Sequence, residues 1–117
     1  MITHLGKANV TLSSWNILCV ALANGKRAEL FIGYSHADGM GRLSTRIKSY
    51  SEVLKLGETE SGSTYQLIGE PGQPHGDAMY VLEQRLGVSA VQKELFSAEG
   101  AGWLSFKYPV NGDESGM

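Results

Sequence analysis

The chain has 117 residues, the size of one domain, and 42% of them are hydrophobic, which excludes wholesale disorder. A net charge of −2 excludes a general attraction to nucleic acid or to an anionic membrane. The charge is polarised: residues 26–55 carry six basic and three acidic groups, residues 56–117 three basic and nine acidic, a distribution that steers a partner or a second copy.

In chain order, the run "WNILCVAL", Trp15 to Leu22, predicts a strand. Asn24-Gly25 follows it, a strong two-residue hairpin signal in which both positions take positive φ. "RAELFIGYS" predicts the partner strand, and because both arms are apolar on both faces the pair reads as central. "HADGMG" breaks the pattern, and "RLSTRIKSY" then alternates: Leu43, Thr45 and Ile47 on one face, Arg42, Ser44, Arg46 and Lys48 on the other. "EVLKLGETESGSTYQLIG" predicts a second hairpin with Val53, Leu54 and Leu56 on its first arm, a turn at Glu60–Ser63, and Tyr65 and Leu67 on one face of the return arm.

After "EPGQPHG" the period becomes helical, with Ala78, Val81, Leu82 and Leu86 on one stripe, Asp77 as N-cap and Gly87 as stop. Pro71-Gly72 predicts a type II turn before it. "SAVQKELFSAEG" predicts a second short helix or a bent continuation of the first, with Ser89 and Gln92 as a capping box, and "WLSFKYPV" an edge strand because of Pro109. The expectation is an α+β domain over residues 1–110 with a polar tail over 111–117. Its antiparallel sheet has five or six strands, a meander open or curled into a half-open barrel, with one or two C-terminal helices.

Cys19 is the single cysteine, placed among strand-core neighbours, which predicts a buried thiol in a reducing compartment. No stretch approaches the roughly 18 apolar residues of a membrane span, and the N-terminus lacks the pattern of a signal peptide. A cytoplasmic location is expected.

Three sets of residues carry candidate chemistry. The glycines of residues 69–76 lie before a helix, but Pro71 and Pro74 remove backbone donors, and Glu70 and Asp77 repel an anion, so a phosphate loop is not expected. His36 with Asp38 and His75 with Asp77 form two His-x-Asp pairs, which together suit a metal site or a metal-dependent hydrolase if the loops meet. Arg42, Arg46 and Lys48, with Tyr50 in phase and Lys55 beside them, form a basic strand face suited to an acidic protein, a second copy or single-stranded nucleic acid. No nucleophile elbow or carboxylate pair is present, so no enzyme and no cofactor are expected.

The segments "GRLSTRIKSY", "TESGSTYQLIGEPG" and "DAMYVLEQ", in that order over residues 41–82, resemble small bacterial proteins often linked to prophages or mobile elements. That group has no established activity, so the resemblance implies no catalytic residues. It implies a small regulator or inhibitor acting on host machinery. The leading expectation is a non-enzymatic protein that acts by protein–protein interaction or self-association. A nucleic-acid-binding module is the second reading and a metal-dependent hydrolase the third; no membrane partner is expected.

Overall fold

The computed structural model describes residues 9–22, 24–88 and 103–110. Strand β1 runs over Val10–Ala21 and pairs antiparallel with β2, Arg27–Ser35. At their turn the Leu22 N–H donates to the Lys26 carbonyl at 2.7 Å and the Gly25 N–H to the Leu22 carbonyl at 3.0 Å. Gly25 takes φ 85°, and because the closing bond joins Leu22 to Lys26 the turn is longer than the two-residue form expected.

Strands β3 (Met40–Ser51), β4 (Leu56–Thr59) and β5 (Thr64–Leu67) follow, each antiparallel to its predecessor. Five strands joined in sequence alternate in direction, so the fifth points the same way as the first. β5 therefore closes on β1 in parallel, with Val10 opposite Tyr65 and Leu12 opposite Leu67. The barrel is closed rather than half-open and its sheet is mixed rather than antiparallel. Closure leaves no open edge among these five strands.

β1 is bent at Ser14, whose φ is 46°, where its register against β2 shifts. Hydrogen bonds to β1 continue past the bend. Beyond β5, the Ile68, Gly72 and His75 N–H groups donate to the Leu12, Trp15 and Ser14 carbonyls at 2.8, 3.0 and 2.9 Å. Strand β6 (Leu104–Phe106) then pairs antiparallel with Leu18–Val20. It is the short edge strand that Pro109 predicts, shorter than the Trp103–Val110 run.

The barrel interior is filled by Leu12, Trp15, Ile17, Phe31, Tyr65 and Leu67. A second cluster lies outside the wall, where Leu18 and Ile32 meet Ala78, Met79 and Leu82 of α1, Gly76–Leu86. Burying Met79 and Leu82 contributes about 1.5–3 kcal/mol each. Gly41 permits this contact, because a Cβ there would overlap the Asp77–Ala78 peptide at the start of the helix. The helix caps differently from expectation. His75 is the N-cap, its Nδ1 accepting from the Asp77 N–H at 3.0 Å, because the bond from the His75 N–H to the Ser14 carbonyl pins the chain two residues earlier. Gly87 ends the helix as expected, its N–H donating to the Glu83 carbonyl.

Two further expectations are corrected. Gly72 does not take positive φ, so Pro71-Gly72 is not a type II turn; Gly69 takes φ 80° instead. Val53 and Leu54 are not strand residues but the exposed tip of the β3–β4 turn, closed by Lys55 at φ 54°; Val53 is 91% exposed. One helix lies among the described residues; the second, expected within 89–100, and the tail 111–117 lie outside them.

Candidate functional site

The expected basic face of β3 is not formed. Leu43 lies opposite Ile32 but Arg46 lies opposite Leu30, so β3 carries one extra residue between them, and a second extra residue falls between Ile47 and Ser49. Each such bulge reverses the alternation of side chains. Arg42 therefore lies on the interior side of the wall, where its Nε donates to the Tyr65 hydroxyl at 2.9 Å and it pairs with Asp38 at 2.9 Å. The Tyr65 bond first, and then the Asp38 charge, hold its guanidinium above the usual arginine value. Arg46 lies on the exterior, paired with Glu60 at 2.7 Å. Lys48 is exposed in the second bulge. Tyr50 turns inward, edge-on to Phe31 at 5.7 Å, and Lys55 lies 3.7 Å from Glu70.

The two His-x-Asp loops do meet, over Tyr34. Its ring lies 5.6 Å from that of His36 and 4.5 Å from that of His75. Several of their polar atoms are engaged elsewhere. His36 Nε2 is 2.8 Å from Ser13 Oγ, His75 Nδ1 caps α1, and Asp38 accepts from Ser35 and Arg42. Asp77 lies 3.9 Å from His75. Among the described residues no three His, Cys, Asp or Glu side chains converge as metal ligands. Cys19 is half-buried rather than core, with Sγ 3.9 Å from Glu29 Oε2. Burial, and then the Glu29 charge, push its thiol above the ordinary value.

An apolar groove of about 320 Å³ lies on the outside of the barrel. Its floor is Val20 of β1, Leu30 of β2 and Leu43 of β3; Leu86 and Trp103 form its sides. Arg46 and Arg85 are the charged residues among those lining it. The groove follows from local sequence. Alternation turns Leu18 and Val20 outward, register places Leu30 and Ala28 beside them, and the cluster around α1 fully buries Leu18 and Ile32 but leaves Val20 and Leu43 partly buried. Leu22, Val88 and Trp103 add exposed apolar surface nearby. The available sequence signal was the hairpin with two apolar faces. That pattern implies burial between sheet neighbours, whereas one face looks into the barrel and the other onto the groove and α1.

No described helix is long and apolar enough to cross a membrane. No protein-family model, curated protein or solved structure matches this chain.

Proposed function

We propose that this chain is a small, non-enzymatic cytoplasmic protein that works by binding another protein, and that the groove at Val20, Leu30, Leu43 and Leu86 receives the partner. The occupant is an extended or helical segment presenting apolar side chains with a carboxylate beside them. The observation that carries this reading is the groove itself: an apolar trough outside a barrel that already has a complete core, bordered by Arg46 and Arg85. Such patches are where partners dock. Among the described residues Arg85 has no acidic partner, so it is the cation offered to the segment's carboxylate. A regulatory role on host machinery, as a mobile-element product, is the biological setting implied by the resemblance over residues 41–82.

The alternatives have weaker support. Nucleic-acid binding needs several cations in one field, and Arg42 and Arg46 lie on opposite sides of the wall, each with its own carboxylate. The same pairing weakens a dimer built on a basic strand face. The hydrolase reading loses its ligand set to the Tyr34 stack, the helix cap and the Arg42 pair.

Panning a random peptide library against the wild-type protein and against Leu30→Asp tests the reading. The expected result is enriched peptides that combine apolar residues with Asp or Glu. Their binding falls at least tenfold in Leu30→Asp, since losing burial of one leucine is worth about 1.5–3 kcal/mol. Arg85→Glu weakens them severalfold without touching the apolar floor. No enrichment, equal binding by both variants, or a Leu30→Asp protein that no longer folds would each overturn it, the last by making the groove part of the fold's own core.

A further inference from the structure

A second cleft, of about 270 Å³, lies where the β3–β4 turn, residues 70–71 and Tyr108 meet. We infer that it binds an organic cation whose charge is diffuse and clad in alkyl groups, a quaternary ammonium being the simplest. The inference stands apart from the groove.

Two tyrosines wall it. Tyr108 packs nearly perpendicular on the fully buried Trp15, 80° apart with ring centres 5.7 Å distant, and Tyr50 forms the second side, braced edge-on against Phe31. Tyrosine rings beside a space attract a cation through their quadrupoles, and favour one too diffuse to demand its water back. The rim adds charge of the matching sign. Glu52, Glu70 and Lys55 line the cleft, two carboxylates against one ammonium. Lys55 lies against Glu70 at 3.7 Å, which leaves Glu52 to face a ligand. Glu52 is held in place: the Tyr108 hydroxyl donates to its Oε2 at 2.7 Å and stands 3.4 Å from the Tyr50 hydroxyl. Burial first, and then those neighbours, keep the Tyr108 hydroxyl protonated, so it remains a donor to Glu52.

The cleft is also pre-formed. Asn16, fully buried, donates from Nδ2 to the Gly72 carbonyl at 2.8 Å and to the Tyr108 carbonyl at 3.1 Å, and its Oδ1 accepts from the Tyr108 N–H at 3.2 Å. One side chain thus ties together both lips of the cleft. Trp15 fastens the same loop from below, with Nε1 donating to the Gly69 carbonyl at 3.1 Å. A site ordered before binding loses little on receiving its ligand. An anion is disfavoured by the two carboxylates. A bare metal ion is disfavoured because two carboxylates are the only oxyanions lining it.

The test compares choline with 3,3-dimethylbutanol, its neutral isostere, at constant ionic strength. The readout is the indole N–H of Trp15 and the amides of Tyr50 and Tyr108 in nitrogen-15 spectra. Choline is expected to shift these signals saturably, and the neutral compound to bind at least tenfold more weakly. Glu52→Gln weakens choline severalfold, and Lys55→Met, which removes the competing charge, strengthens it. Both substitutions are at solvent-accessible side chains, so the fold is retained. Equal binding of the two compounds, shifts from neither, or choline binding unchanged in both variants would overturn the inference.

Discussion

Asn16 is the residue on which the barrel wall, the 69–72 loop and Tyr108 all depend, and Asn16→Asp isolates its role without changing its size. The side chain is 0% exposed and makes four hydrogen bonds. Its Nδ2 serves the Gly72 and Tyr108 carbonyls; its Oδ1 serves the Ile17 N–H at 2.7 Å and the Tyr108 N–H at 3.2 Å. The aspartate keeps the two bonds to Oδ1 but turns an oxygen toward two carbonyls. Two buried acceptors then lose their donor, at about 1–3 kcal/mol each, and the acid must either ionise without a partner or protonate. The expected loss is about 3–5 kcal/mol, a large part of the roughly 5–15 kcal/mol that holds a domain folded. Urea unfolding followed by tryptophan fluorescence measures it. With a slope of roughly 1–3 kcal/mol per molar urea, the midpoint should fall by more than about 1 M. An Asn16→Asp protein within about 1 kcal/mol of wild type would refute the reasoning, because it would mean those carbonyls find water instead.

Other expectations follow from single contacts. Gly41→Ala should cost about 1–3 kcal/mol or more, because the new methyl meets the Asp77–Ala78 backbone, which cannot rotate aside; thermal unfolding checks it, and an unchanged midpoint contradicts the docking of α1. Cys19 should alkylate slowly near neutral pH, and Glu29→Gln should speed it severalfold by removing the negative charge that disfavours the thiolate; iodoacetamide kinetics across pH decide. Tyr108 has a folded pKa raised above its ordinary value of about 10. Its contribution to stability is therefore whole below about pH 10 and is lost as pH rises beyond. Urea midpoints between pH 8 and 11 should fall more steeply for wild type than for Tyr108→Phe, and parallel curves would contradict the assignment.

The sequence was most legible where a local rule decides structure. β2 occupies Arg27–Ser35 as its apolar run predicts, and α1 is capped two residues ahead of the predicted cap and stops at Gly87. Tyr65 and Leu67 both turn inward as their spacing implies. What failed depended on distant partners. The parallel closure of β5 on β1 has no local signature; it is a consequence of an odd number of meander strands. The bulges in β3 lie in a segment, "RLSTRIKS", whose alternation looks unbroken, and they separate Arg42 from Arg46 by the thickness of the wall. Val53 and Leu54 read as strand because they are apolar, yet the turn needs four residues there and hydrophobicity does not oppose it strongly enough. Both clefts were invisible for a related reason. Each joins residues far apart in sequence, Leu30 with Leu86 in one and Trp15 with Tyr108 in the other.

The central claim is that a partner docks in the groove, and the most direct measurement is where a selected peptide lands. Methyl-labelled leucine spectra, titrated with the tightest peptide from the library, report that position. The account predicts saturable shifts at Leu30, Leu43 and Leu86 together with the Trp103 indole, while Leu12 and Leu67 inside the barrel stay unmoved. Shifts confined to the Tyr50 and Tyr108 cleft, or spread over the barrel interior, would contradict it.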